Sequence, residues 1–167
     1  MPSVFERLYP EMAAGGYDRD DQVVQFFFRL HALLKSEMTI VDFGAGRGLV
    51  ADHPPSYLRD LKILRGRVAK VIGVDVDPAV LSNETVDQAF VIDGDGSIPL
   101  PNESVDLVFS CATFEHLDDP RLSAQELHRI LKPGGWVCAW TVNKWGYVAI
   151  VARLIPNAFH AKFVRVA

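Results

Sequence analysis

The chain has 167 residues, a formal net charge of −4, and a composition that is 49% hydrophobic and 23% charged. That is one domain's worth of chain with enough apolar material for a core, which excludes disorder, collagen-like repeats and small disulfide-stapled folds. The acid excess argues against a dedicated nucleic-acid binder, whose footprint is basic. Apolar stretches such as 137–142 and 147–155 fall well short of the roughly 20 residues that span a bilayer.

The opening residues, MPSVFERLYPEM, lack a basic region ahead of an apolar one, so a cytoplasmic protein without a secretory leader is expected. Cys111 and Cys138 stand in apolar runs, VDLVFSC and WVCAW, with no His or Cys at metal spacing. They read as small core residues, and no metal is expected.

In chain order, residues 18–37 carry Val23, Val24, Phe27, Phe28, Leu30 and Leu34 as a helical stripe behind acidic cap candidates. MTIVDFGAG reads as a buried strand that stops in a glycine loop. After Pro54 and Pro55, SYLRDLKILRG reads as a helix capped by Ser56 and stopped at Gly66. VAKVIGVD is a second strand, and DPAVLSNE a short helix with Asp77 as cap and Pro78 at its first position. AFVID and VDLVFSC are the third and fourth strands. Asp119 and Pro120 open a helix over RLSAQELHRILK, ended by Pro133, Gly134 and Gly135, and GWVCAWTV is the fifth strand. Strands alternating with helices predict βαβ units in a doubly wound, mainly parallel α/β sheet of Rossmann-like type with helices on both faces. The near-continuous apolar strands agree with burial on both sides.

In such a sheet, ligands bind outside the carboxyl ends of the strands. The loop after strand 1, Asp42 to Gly48, admits two ligand readings: the dinucleotide pattern G-x-G-x-x-A from Gly46 to Ala51, or D-x-G-x-G-x-G with an acid at the strand end. A tight turn with no ligand is the plain alternative. Strand 2 ends in Asp75, a carboxylate suited to a ribose diol, while Asp77 is better placed to cap the next helix. Strand 3 ends in DGDGSIP, where a carboxylate suits an exocyclic adenine amine, or where the segment is simply a polar turn.

Taken together, VDFGAGRG, VIGVDVDP, IDGDGSIPLPNESVDLVFS, FEHLDDP and HRILKPGGWV resemble the class I S-adenosylmethionine-dependent methyltransferases over residues 40–142, most nearly the group acting on small molecules. The resemblance implies strand order 3-2-1-4-5, S-adenosyl-L-methionine as cofactor, and in-line methyl transfer to a small-molecule acceptor. It implies that Gly44, Ala45, Gly46 and Gly48 lie against the methionine moiety, with Asp42 near its amino group. Asp75 would take the ribose, Val76 one adenine face, Asp95 with Gly96 the adenine edge, and Ile98 the other face; Asp93 rivals Asp95 for the amine. Phe114, Glu115 and Tyr17 are expected to shape the substrate pocket. His116 is the candidate general base, with a structural role in its loop as the alternative.

The basic group Arg59, Lys62, Arg65, Arg67 and Lys70 reads as a solvated helix face. Two departures from the family stand out. Pro54 and Pro55 are expected to break the helix that follows the glycine loop or replace it by a loop. No clear sixth and seventh strands follow strand 5; residues 143–167 read as an apolar helical tail, after an N-terminal helical segment (1–37) and a cofactor-binding core (38–142), all within one domain. An uncovered fifth strand is a pairing hazard, so a homodimer through that edge or the tail is expected. A non-catalytic cofactor-binding module is the alternative from another class. An NAD(P)-binding protein is the more distant one, since it leaves GDGSIPLP and EHL without a role.

Overall fold

The structure is a computed structural model and describes residues 8–12, 16–52, 56–143, 145, 146 and 150. Strands β1 (Thr39–Phe43), β2 (Lys70–Asp75), β3 (Gln88–Val91), β4 (Val105–Cys111) and β5 (Leu131–Trp140) form one sheet in the order β3-β2-β1-β4-β5. All neighbouring pairs are parallel. This is the expected α/β architecture, with the order reversing at β1, between β2 and β4. The expected division into terminal segments and core falls partly outside the described residues, because most of 143–167 lies there.

Side chains alternate across each strand, and the two faces bury two separate cores. Ile40, Val71, Leu107 and Phe109 pack with Phe27, Leu30, Leu61 and Leu64, the apolar residues of helices α1 (Gln22–Leu33) and α2 (Tyr57–Lys62) and of the turn after α2. Val41, Phe43, Ile72, Val74 and Val108 pack on the other face with Leu127 and Ile130 of helix α3 (Pro120–Ile130). The helices thus cover both faces. Local chemistry sets their starts: Asp21 accepts from Val23 and Val24 N–H at 2.9 and 3.0 Å, Ser56 from Arg59 N–H at 3.2 Å, and Asp119 from Arg121 and Leu122 N–H, both at 3.0 Å. Pro120 occupies the first turn of α3, where its missing N–H leaves no bond unmade.

The crossover from β1 to β2 is irregular, as the paired prolines suggest: a 3-10 turn at Leu49–Asp52, then only six helical residues in α2. DPAVLSNE forms a 3-10 turn, Pro78–Ser82, with Asp77 accepting from Ala79 N–H at 2.9 Å. The expectation that Pro133, Gly134 and Gly135 end the helix opened at Pro120 needs correction. The helix ends at Ile130, and β5 begins at once: Val105 pairs with Leu131 but Leu107 with Trp136, so residues 132–135 loop out of the ladder. Pro133 cannot donate to a ladder and Gly134 takes φ +80°, which places the irregularity there.

Cys111 and Cys138 are free thiols, partly buried against the α1 side of the sheet rather than enclosed in the core, and burial pushes both thiols up. Arg65 is tied to Asp87 at 3.1 Å and to the Glu84 carbonyl at 2.9 Å, while Arg67 donates to the carbonyls of Ile63 and Asp60, so two members of the basic group fasten loops. His31 meets the Leu61 carbonyl at 2.8 Å and joins α1 to α2. No helix among the described residues is long and apolar enough to cross a membrane.

Candidate functional site

A cleft of about 810 Å³ opens at the carboxyl ends of β1, β2 and β4, where the strand order reverses, and the turn after β3 and the start of α3 complete it. Phe43, Gly44, Asp75, Val76, Asp93, Asp95, Gly96 and Ile98 line one part; Ala112, Thr113, His116, Asp118, Asp119 and Leu122 line the rest. Its volume is that of a small-molecule site.

The glycine loop is bound to the end of β2. Gly44 and Ala45 N–H donate to the Val74 carbonyl at 2.8 and 3.3 Å, and Gly46 N–H donates to Asp75 Oδ2 at 2.8 Å. The other Asp75 oxygen accepts from Asp77 N–H at 2.9 Å. Asn83, buried beneath the loop, donates to the carbonyls of Ala45 and Gly46, both at 3.1 Å, and its own Oδ1 accepts from the N–H and hydroxyl of Thr85 at 2.8 and 2.6 Å. Gly44 and Gly46 require glycine for different reasons. Gly44 has φ +82° and its α-carbon abuts the Thr113 side chain, so a Cβ has no room. Gly46 has φ +52° with open space beside it, leaving backbone exposed where a ligand can approach.

Asp42 sits at the end of β1 on the face opposite Phe43, and so does not line the cleft. Burial, reinforced by the Asp75 carboxylate, pushes its pKa up to about 7. Val76 is an apolar side chain left 73% exposed beside Asp75 on the cleft wall. After β3, Asp93 N–H donates to the Ser97 carbonyl at 3.1 Å, Gly96 N–H to the Asp93 carbonyl at 2.8 Å, and Ser97 N–H to Asp95 Oδ1 at 2.9 Å. These bonds make 93–97 a compact turn that presents both carboxylates to the cleft. Ile98 is 1% exposed and belongs mainly to the core on the α3 side.

The segment after β4 is a 3-10 turn, Phe114–His116, whose successive side chains point about 120° apart. His116 reaches the cleft. Phe114 turns onto Phe43, ring centres 5.9 Å apart, and Glu115 accepts from the Thr141 hydroxyl at 2.7 Å, which holds its carboxyl below the usual range. Tyr17 packs on Tyr57, ring centres 6.0 Å apart. The cleft therefore gathers Gly44, Asp75, Val76, Asp95, Gly96, Ile98 and His116, and is not lined by Asp42, Ala45, Gly46, Gly48, Phe114, Glu115 or Tyr17. Ser110, buried under the loop, donates to the Phe43 carbonyl at 2.8 Å. Sequence reasoning missed Asn83, Ser110 and Thr113, polar residues in elements whose pattern gives no sign that they brace a loop distant in sequence. Among the described residues no group of three or more His, Cys, Asp or Glu is clustered to hold a metal.

Residues 41–139 match the methyltransferase domain family, and the chain belongs to it. It is 31% identical over 115 residues to malonyl-[acyl-carrier protein] O-methyltransferase 1 of Coxiella burnetii, a match covering 69% of this chain and 37% of that protein. It is 29% identical over 147 residues to the ubiquinone biosynthesis O-methyltransferase of Thiobacillus denitrificans, covering 77% of this chain and 59% of the relative. The chain thus spans less than two thirds of these curated relatives. The fold is similar to that of a SAM-dependent methyltransferase from Aquifex aeolicus, with a TM-score of 0.53 and 24% identity over 76% of this chain and 70% of the other.

Proposed function

We propose that this chain binds S-adenosyl-L-methionine in the cleft and transfers its methyl group to a small-molecule acceptor. The observation that carries the reading is the charge of the cleft. Among the described residues lining it are Asp75, Asp93, Asp95, Asp118 and Asp119, and neither Lys nor Arg. Facing carboxylates favour a cation and repel an anion. At neutral pH the cofactor carries a sulfonium, an ammonium and one carboxylate and so is net positive, whereas the pyrophosphate of a nicotinamide dinucleotide would meet like charge. The residues also suit its parts. Asp75 keeps lone pairs for the ribose, exposed Val76 offers a flat apolar contact for a base, and Asp95, or Asp93 beside it, faces an exocyclic amine. Gly44 on the cleft wall and the open backbone at Gly46 offer the cradle for the methionine end, with Ala45 and Gly48 shaping the same loop. Asp42, turned to the other face of β1, bears on this site through its repulsion with the Asp75 carboxylate.

The bound cofactor supplies an activated methyl group that a nucleophile takes by in-line displacement. The chain's own contribution is to hold the acceptor in line and to exclude water. His116 is the base that takes the proton of a hydroxyl acceptor. The named O-methyltransferase relatives support an oxygen nucleophile. Leu117 and Leu122 supply the apolar wall against which an acceptor packs. Binding of S-adenosylmethionine and S-adenosylhomocysteine but not NADH, followed by methyl transfer from labelled cofactor to hydroxylated acceptors, tests the reading. A chain that binds the cofactor and transfers to none of a broad acceptor panel fits the non-catalytic module instead.

A further inference from the structure

Glu126 and Arg129, one turn apart on α3, hold the wall of the cleft that follows β3. Glu126 Oε2 accepts from the Ile98 backbone N–H at 2.9 Å, and Arg129 Nη2 donates to the Ile98 carbonyl at 2.7 Å, so one ion pair fixes both polar groups of one residue. The guanidinium also donates through Nη1 to the Leu100 carbonyl at 2.7 Å and to Asn102 Oδ1 at 3.0 Å. Through Nε and Nη2 it reaches the two Glu126 oxygens at 2.9 and 2.7 Å. All five of its N–H donors are thereby engaged, a geometry that only a planar fork provides. A second contact comes from the same helix: the α-carbon of Gly96 lies so close to the Leu122 side chain that a Cβ would collide with it. Because 93–97 is a turn bonded within itself, anchoring Ile98 at one end and Gly96 along its length moves or holds both carboxylates together.

We propose that Glu126 and Arg129 are positioning residues for base recognition, setting where Asp93, Asp95 and Gly96 meet the nucleobase and so how well the cleft tells adenine from other purines. The proposal rests on the reading of the cleft as the S-adenosylmethionine site. The pair touches backbone and the Asn102 side chain rather than ligand, and acts through the turn. Its ion pair is partly buried, with side-chain exposures of 30% and 16%, which shields it from the solvent screening that empties most surface pairs of effect.

Calorimetric titration with S-adenosylhomocysteine and with S-inosylhomocysteine, whose base carries an oxygen where adenine has its amine, reads base discrimination directly. The wild-type chain should prefer the adenine ligand by at least about tenfold, the scale of losing one matched hydrogen bond in a built site. Arg129→Lys keeps the charge opposite Glu126 but loses the fork, and should bring the two affinities to within about threefold, at the weak end of what one neutral hydrogen bond provides. Glu126→Gln, isosteric and milder, should fall between. A wild-type ratio retained in both variants overturns the proposal, as does a parallel fall of both affinities, which is what general destabilisation alone would produce. If Arg129→Lys does not fold, the ratio in Glu126→Gln decides. Wild-type chain that binds neither nucleoside overturns the cofactor reading itself, and wild-type chain that binds both equally overturns only the role of the pair.

Discussion

Replacing Asp75 by alanine tests the proposed ribose contact apart from the loop's own supports. In the folded chain its two oxygens accept from Gly46 and Asp77 N–H at 2.8 and 2.9 Å. The glycine loop keeps its other ties: Gly44 and Ala45 N–H to the Val74 carbonyl, and the Asn83 amide to the carbonyls of Ala45 and Gly46. Both orphaned N–H groups lie near solvent, so the stability loss should be about 1 kcal/mol, a fall in Tm of about 2–4 °C for a chain of this size. The cofactor loses a charged partner for its ribose, about 1.5–3 kcal/mol, or roughly ten- to a hundredfold in Kd. Calorimetric titration with S-adenosylhomocysteine, beside a thermal melt, reads the two effects apart. A folded Asp75→Ala chain with wild-type affinity would refute the ribose assignment.

Other consequences follow from the same geometry. Gly44→Ala should lower Tm further than Gly46→Ala: both carry the left-handed backbone cost of about 1–2 kcal/mol, and only the Cβ at position 44 also meets the Thr113 side chain; equal melts for the two variants would contradict this. Asn83→Ala removes a buried amide that braces two loop carbonyls and should destabilise by about 1–3 kcal/mol in denaturant titration, with weaker cofactor binding. Asp42, raised from 3.8 to about 7 when folded, holds a proton that the unfolded chain has released between those values. Its contribution to stability is full below about pH 4, is lost as pH rises through 7, and is absent from Asp42→Asn. The β5 edge carries exposed Trp136 and Val137, and self-association is expected; sedimentation as a monomer at every concentration would contradict it.

What could be read from the residues alone was whatever depends on near neighbours. Ser56, Asp77 and Asp119 cap where their spacing places them, because a cap is a contact of two or three residues, and VDLVFSC coincides with β4 because a strand buried on both faces reads as a near-continuous apolar run. The parallel sheet followed from the alternation of elements. The facing of side chains did not. Phe114, Glu115 and His116 stand together in sequence, yet the 3-10 turn sends one to the core, one to Thr141 and one to the cleft. Asp42 opens the D-x-G-x-G-x-G pattern in sequence, but strand alternation turns its side chain to the face opposite Phe43. Asn83 and the Glu126–Arg129 pair brace loops more than 25 residues away, and local pattern carries no trace of such contacts.

Titration of the chain with S-adenosylmethionine, S-adenosylhomocysteine and NADH tests the central claim most directly. Saturable binding of both sulfur nucleosides, without binding of NADH, is the result the acidic cleft predicts. Binding of NADH alone, or of none of the three by the folded chain, would contradict it.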